Sequence, residues 1–450
     1  MELLTSSWWI FDEIGKYFLV EGSTRRWVMF AAILLGISSG VVGTFAFLRK
    51  QSLLSDAMAH AALPGICLAY MFTGVKDPLL FLLGASVTGL IGAIIATEIP
   101  RHSRIKIDTA IGLVLSNFFA FGIVLLTIIQ KNFSGNKAGL DSFLFGKAAL
   151  LARYDIYVMG SMCLLLLGIT FIFYKEFKLL TFDRSFAITL GLPVRYLELL
   201  ITLLIVLAVM VGLQAVGVVL MVAMLIFPAA AARQWTDRLG LMILISAFIG
   251  AFAGAVGSFC SAIVAKVPTG PVMVVVCSFL LIVSMFFAPN RGLVPKWLRL
   301  RKSRQRIRRE NILKSCYKTC EEHNNWKMNF TIENFFAYFK LPRYLLRHYL
   351  RSLIKREFMS HENGNWQLTE KGLKKALQII RKHRLWEVYL TKKMDIASDH
   401  VHRDAEDIEH AINNEVLHQL DNELKSPQQD PHGKAIPQNV CFSEQERKTR

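Results

Sequence analysis

The chain has 450 residues, a length suited to two or three domains, and a formal charge of +18. Apolar residues make up 53% of it and charged ones 19%, but the apolar residues crowd before about residue 290 and the charges behind it. That asymmetry excludes a single soluble globule. The seven cysteines form no disulfide framework, and four of them (Cys67, Cys163, Cys260, Cys277) lie in apolar runs.

The first 24 residues hold acids and a Trp8-Trp9-Ile10-Phe11 cluster, which reads as an interfacial segment rather than a cleavable signal peptide. Between 25 and 290, apolar runs long enough to cross a bilayer occur at about 27–48, 53–74, 78–97, 109–129, 155–174, 240–265 and 271–289. A further run, 196–232, is too long for one span. Basic loops flank it (Lys175 to Arg195, Arg233 to Arg238), so both of its ends are expected in the cytoplasm. It therefore goes in and returns, as a hairpin or a re-entrant turn, which brings the total to about nine passes. Gly36-Ile-Ser-Ser-Gly40 and Gly250-Ala-Phe-Ala-Gly254 have the spacing that lets helix backbones approach closely.

Two segments carry chemistry. Asp56 and His60 are four apart and share a helix face inside an apolar run. They suit a transient ligand pair for a divalent metal, or a mutually hydrogen-bonded pair that fixes packing. The segment Phe182-Asp183-Arg184-Ser185-Phe186-Ala187-Ile188-Thr189-Leu190-Gly191-Leu192-Pro193 places Phe182, Phe186 and Leu190 at helical spacing before a Gly-Pro stop. It reads as a short amphipathic helix that docks a cytoplasmic partner, or as a loop lying on the bilayer.

Ser55–Gly65, Ser103–Gly112, Phe182–Pro193 and Gln214–Pro228 together resemble the permeases of manganese, zinc and iron ABC importers, through nearly all of 25–290. The resemblance implies a multi-pass protein of the bacterial inner membrane, paired with a second permease subunit or a second copy of itself. It also implies an extracytoplasmic metal-binding protein that delivers the ion. Asp56 and His60 would line the metal path, and Phe182, Asp183, Phe186, Ala187, Leu190 and Gly191 would meet the ATPase. The sequence has no Gly-rich phosphate loop, so the chain is not read as an enzyme and ATP hydrolysis is expected on a separate subunit.

Residues 291–311 form a basic linker. From Arg291 to Lys314 there are ten Lys or Arg and one acid, Glu310, a pattern suited first to anionic lipid and second to nucleic acid. Residues 312–372 read as a winged helix-turn-helix. Thr331 caps one helix, Pro342 breaks it, and 343–355 continues with Leu346, Leu350 and Leu353-Ile354 inward. Arg343, Tyr344, Arg347 and Arg351 fall on the other side, as on a recognition helix or on a merely solvated one. Asn363-Gly364-Asn365 turns a small hairpin.

Residues 373–437 read as a helical domain, followed by a tail, 438–450. His383 and Glu387 are four apart, and His402, Glu406 and Glu409-His410 make one stripe, suited to a transition metal or to a solvated helix face.

Arg381–Glu387, Val401–His410 and Asp430–Pro437 resemble the diphtheria toxin repressor family of iron- and manganese-dependent regulators, over about 312–437. The resemblance implies a metal-binding and dimerisation domain that acts on an operator. One metal site would be Glu406, Glu409 and His410, and its neighbour His383, Glu387 and His402. Glu406 matches the manganese-type form, so manganese or iron rather than zinc is expected as substrate and co-repressor. Where the family supplies a further ligand before a Tyr, this chain has Asn311 and Lys314 ahead of Tyr317. Cys316, Cys320 and His323 read as packing and surface residues.

The expected fold is thus an all-α polytopic membrane bundle, then a cytoplasmic winged helix and a helical metal-binding and dimerisation domain. The expected function is metal import with a metal-dependent repressor attached, released by proteolysis near 291–314. The rivals are a tail that gates the permease without touching DNA, and a membrane half that is a secondary transporter.

Overall fold

The computed structural model describes residues 24–75, 77–132, 153–263, 267–339, 341–397 and 400–437. Residues 1–23 of the expected interfacial segment and the tail 438–450 lie outside them. The chain divides into two compact units, 1–296 and 297–450.

The first unit is helical: α1 (Thr24–Leu48), α2 (Ser52–Thr73), α3 (Pro78–His102), α4 (Ile107–Asn132), α5 (Arg153–Ile172), α6 (Tyr174–Phe182), α7 (Arg184–Thr189), α8 (Val194–Val216), α9 (Val218–Trp235), α10 (Leu239–Ile263) and α11 (Thr269–Phe287). Eight of these, α1–α5, α8, α10 and α11, are long and apolar enough to cross a membrane, and α9 is a shorter apolar helix. The nine expected passes therefore correspond, among the described residues, to eight helices of spanning length and one shorter one. The long run 196–232 resolves into α8 and α9, which meet at Gly217. Its φ of 95° and ψ of 161° are open to glycine and strained for other residues, so the helix stops there.

α8 is apolar around its circumference, the pattern of a helix enclosed on every side. It packs against α1, α2, α3, α5 and α9 and buries nearly every residue from Leu204 to Val216. The two small-residue motifs prove to be partners. A Cβ on Gly36 would stand 2.0 Å from the carbonyl oxygen of Gly250, and one on Gly254 would stand 2.3 Å from that of Ala32. Ser246 Oγ donates to the Gly40 carbonyl across the same seam at 2.8 Å. α1 and α10 thus touch backbone to backbone, which only residues this small permit.

The second unit begins within α12 (Leu293–Glu322), so the segment read as a linker is helical. α13 (Ile332–Tyr338) starts from a capping box between Thr331 and Asn334, and α14 (Arg343–Lys355) follows Pro342. β1 (Met359–Glu362) and β2 (Asn365–Leu368) pair antiparallel with Glu362 opposite Asn365. Their two-residue turn, Asn363-Gly364, has φ of 50° and 81°, the left-handed pair that matches strand twist. α15 (Glu370–Lys393), capped by the Thr369 hydroxyl, α16 (Val401–Ile408) and α17 (Asn414–Glu423) complete the unit. Its main core joins Ile312, Leu313, Cys316, Tyr317 and Cys320 of α12 to Leu346, Leu350 and Leu353 of α14 and Ile380 of α15. Cys316 and Cys320 are packing residues there, and His323 is exposed.

Candidate metal sites and nucleic-acid interface

Asp56 and His60 lie one turn apart on α2, in a stretch where Ala57, Met58, Ala59, Ala61 and Ala62 are fully buried. His60 Nε2 is 3.9 Å from Asp56 Oδ1, beyond hydrogen-bond reach. The ring stands edge-on to Phe119 of α4, with centroids 5.0 Å apart. Its Nδ1 is buried and has no hydrogen-bond partner among the described residues. A buried imidazole nitrogen left unmatched costs free energy unless something completes it.

α7 is held by its ends. The Asp183 carboxylate accepts from the Phe186 amide at 2.8 Å, and Gly191 closes the turn at a φ of 75°. Phe182, Phe186 and Leu190 are exposed and Ala187 is buried, so the apolar edge of this short helix faces outward. A neighbour that sequence reasoning missed anchors it. Glu198, near the start of α8, accepts from Arg184 Nε at 2.8 Å and from Arg101 at 3.4 Å, with Arg49 at 4.0 Å. One carboxylate thus gathers the chain after α1, the end of α3 and the start of α7.

On α14, Leu346, Tyr349, Leu350 and Leu353 are buried, while Arg343, Tyr344, Arg347 and Arg351 are exposed. Tyr349, which sequence reasoning also missed, turns toward α12 and accepts from Arg308 at 3.3 Å. The exposed residues line a cleft together with Arg301 and Gln305 of α12. The basic segment and the basic helix therefore form one cationic surface.

The six expected sensor residues separate into two groups. His383 and Glu387 are on α15, and His402 is on α16. His383 Nε2 lies 3.1 Å from His402 Nδ1 and 3.2 Å from Glu387 Oε1, and His402 Nδ1 lies 2.8 Å from the same oxygen. Neighbouring ligands of a divalent ion with bonds of roughly 2.1 Å are spaced about 3 Å apart, so these three fit a metal. Burial opposes charge on His383, but hydrogen bonds to Glu387 and Glu409 outweigh it and raise the ring above its usual range. A metal would compete with that proton. Asp430 and His432 form another possible set with Glu387. Asp430 is already committed, since its Oδ1 accepts from the amides of His432 and Lys434 and its Oδ2 faces Arg384 Nε at 3.4 Å.

Glu406, Glu409 and His410 do not converge in the same way. Lys314 Nζ stands between the first two, 2.7 Å from Glu409 Oε2 and 3.5 Å from Glu406 Oε1. His410 turns to α12 instead, Nδ1 to Glu310 Oε2 at 2.7 Å and Nε2 to Asn311 Oδ1 at 2.7 Å. Both imidazole nitrogens are thereby engaged, and Glu409 Oε1 faces His410 Nε2 at 3.3 Å without a hydrogen bond. This second set does not fit a metal as it stands. The advance signs were Asn311 and Lys314, standing ahead of Tyr317 where the resemblance implies a further ligand. Arg381 and Arg384, which lie in one of the motifs carrying the resemblance, are structural. They reach Pro437 and Ala435 carbonyl oxygens and pair with Asp421 and Glu321.

Comparison with known proteins agrees with the two units. Residues 23–288 match the ABC 3 transport family, and residues 369–438 match the iron dependent repressor, metal binding and dimerisation domain. The chain is 46% identical over 380 residues to the manganese transport system membrane protein MntC of Bacillus subtilis, covering 84% of this chain and 87% of that one. It is 29% identical over 442 residues to a probable metal transport system membrane protein of Chlamydia trachomatis, covering 92% and 96%. Among solved structures, PsaBC from Streptococcus pneumoniae in complex with Fab superposes with a TM-score of 0.56 at 33% identity, covering 65% of this chain and 98% of that one. The chain is therefore a multi-pass membrane protein that belongs to the ABC 3 transport family and carries an iron-dependent-repressor domain behind its permease.

Proposed function

We propose that the first unit is the permease of an ABC importer for a divalent transition metal, manganese in the first instance, and that the second is a cytoplasmic, metal-responsive DNA-binding regulator. The observation that carries the transport reading is the buried, unmatched Nδ1 of His60 one turn from Asp56 on a helix of spanning length. Ionisable groups inside a membrane bundle are costly and mark ion pathways. The manganese transport protein of Bacillus subtilis, nearly half identical, supports that metal as cargo. An ATPase subunit would dock on Phe182, Asp183, Phe186, Ala187, Leu190 and Gly191, and an extracytoplasmic binding protein would deliver the ion to a homo- or heterodimeric permease.

In the second unit, His383, Glu387 and His402 would hold a divalent ion, which joins α15 to α16 by charge where two imidazoles and a carboxylate now share protons. Arg343, Tyr344, Arg347 and Arg351, with Arg301 and Gln305 beside them, would meet an operator, phosphates first.

The test is manganese uptake in cells expressing D56A or H60A alongside the partner subunits. Uptake should fall to background while the variants insert in the membrane at the level of the unmodified chain. Unchanged uptake refutes the path.

A further inference from the structure

Lys314 is the buried charge that the proposed regulator does not explain. Its side chain is 6% exposed and that of Glu409 only 1%, so this ammonium and carboxylate meet out of water. Lysines are rarely buried this deeply unless they are paired. The ammonium donates to Glu409 Oε2 at 2.7 Å and has Glu406 Oε1 at 3.5 Å; His383 Nδ1 stands 3.3 Å away and is itself turned to Glu409 Oε2 at 2.7 Å. That shell of two carboxylates and an imidazole is the ligand chemistry of a transition-metal site. The centre of the shell is a cation that belongs to the chain.

The surroundings are built for it. Lys314 projects from α12, whose neighbouring turns bury Ile312, Leu313, Cys316 and Tyr317, so the helix cannot rotate the lysine outward without exposing its core face. His410, which would otherwise complete a metal shell with Glu409, is tied at both nitrogens to Glu310 and Asn311 of the same helix. A divalent ion placed among Glu406 and Glu409 with Lys314 present would sit against a fixed positive charge in a poorly solvated space, which is repulsive.

We propose that the Lys314 ammonium is a permanent internal substitute for a metal ion between α12, α15 and the Glu406–Glu409 segment, so that the second unit takes one divalent ion, at His383–Glu387–His402, and not two. This rests on the reading of that unit as a metal-binding regulator. The link from the basic helix α12 to the metal-binding helices is then closed by a side chain, whether or not metal is present. Only the contact between α15 and α16 is left for metal to control.

The experiment counts manganese(II) bound at equilibrium by the purified full-length chain in lipid nanodiscs, by dialysis and elemental analysis. Differences between variants are read, so that sites in the permease cancel. Because Glu409 Oε2 also holds His383 Nδ1, it is tested where that site is already lost: E409Q/H402A should bind as much as H402A, whereas one equivalent fewer would show Glu409 already holding a metal and overturn the proposal. K314A should bind one equivalent more than the unmodified chain, because Glu409 Oε2 and Glu406 lose their cation. That extra equivalent should disappear in K314A/E409Q and persist in K314A/H402A. A K314A chain that keeps the unmodified count would overturn the proposal. H402A alone tests the underlying reading separately. It should lose one equivalent, and if it loses none the triad is not a metal site, while the role of Lys314 is still decided by the other variants.

Discussion

At the scale of single residues, the second unit is tuned by buried acids that take partners both from their own helix and from distant segments. Glu310 shows the physics most plainly. Burial works to raise its carboxyl, but hydrogen bonds from His410 and Arg306, with the charge of Arg306, hold it down at about 2 against an ordinary 4.5. A carboxylate depressed in the fold contributes stability that is fully present above its unfolded value and is lost as pH falls through its folded one. The unit should therefore lose stability as pH drops from about 4.5 towards about 2, by at most about 3 kcal/mol from this group. Thermal melting followed by tail fluorescence checks this. E310Q should flatten the acid limb, and an unchanged acid limb would count against the assignment. Glu310 was visible in the sequence only as the lone acid in a basic run. Nothing there indicated that His410, a hundred residues on, would bind it.

At the scale of elements, α7 is six residues long, too short to hold its own shape, and its position depends on its anchors. The Phe182–Phe186–Leu190 edge and the Gly-Pro stop were legible in the spacing, since periodicity and helix stops are local, whereas the Asp183 cap came from the structure. Glu198 was not, because its three arginines come from three separate places in the chain. If movement of an ATPase reaches the bundle through α7, the Arg184–Glu198–Arg101 cluster lies directly in its path. E198Q keeps the shape and removes the charge. It should cut metal uptake roughly tenfold, the equivalent of about 1.4 kcal/mol, while ATP hydrolysis by the assembled transporter persists. Reconstituted proteoliposomes allow both rates to be read together. Equal loss of uptake and hydrolysis would instead mean that the partner no longer docks.

At the scale of the whole molecule, the proposed regulator, joined to a membrane protein, would reach only DNA near the membrane, so the proposal includes its release. α12 sets where cleavage can occur. Residues 296–304 are mostly exposed, whereas Glu310 and most residues from there to Cys320 are buried or half-buried, and cutting there would open the core. An immunoblot against the tail in native cells should show a fragment beginning between Lys296 and Arg309. That fragment should bind its own operon's promoter more tightly with manganese(II) or iron(II) than without, at fixed salt. Full-length protein alone on the blot would argue for a tethered regulator or a gate. The sequence by itself determined the division into a membrane half and a charged half, the apolar runs that become spanning helices, the turn at Asn363-Gly364 and the residue types at each candidate site, but not that the basic linker is helical. Those come from hydropathy, periodicity and capping, which act over a few residues. Only the tertiary structure decided that Gly36 meets Gly250, that Glu198 gathers three arginines, and that Lys314 stands among Glu406, Glu409 and His383. Each of these depends on which distant segments are brought together, and a charge that reads as solvated along the chain becomes the centre of a site once burial removes the water around it.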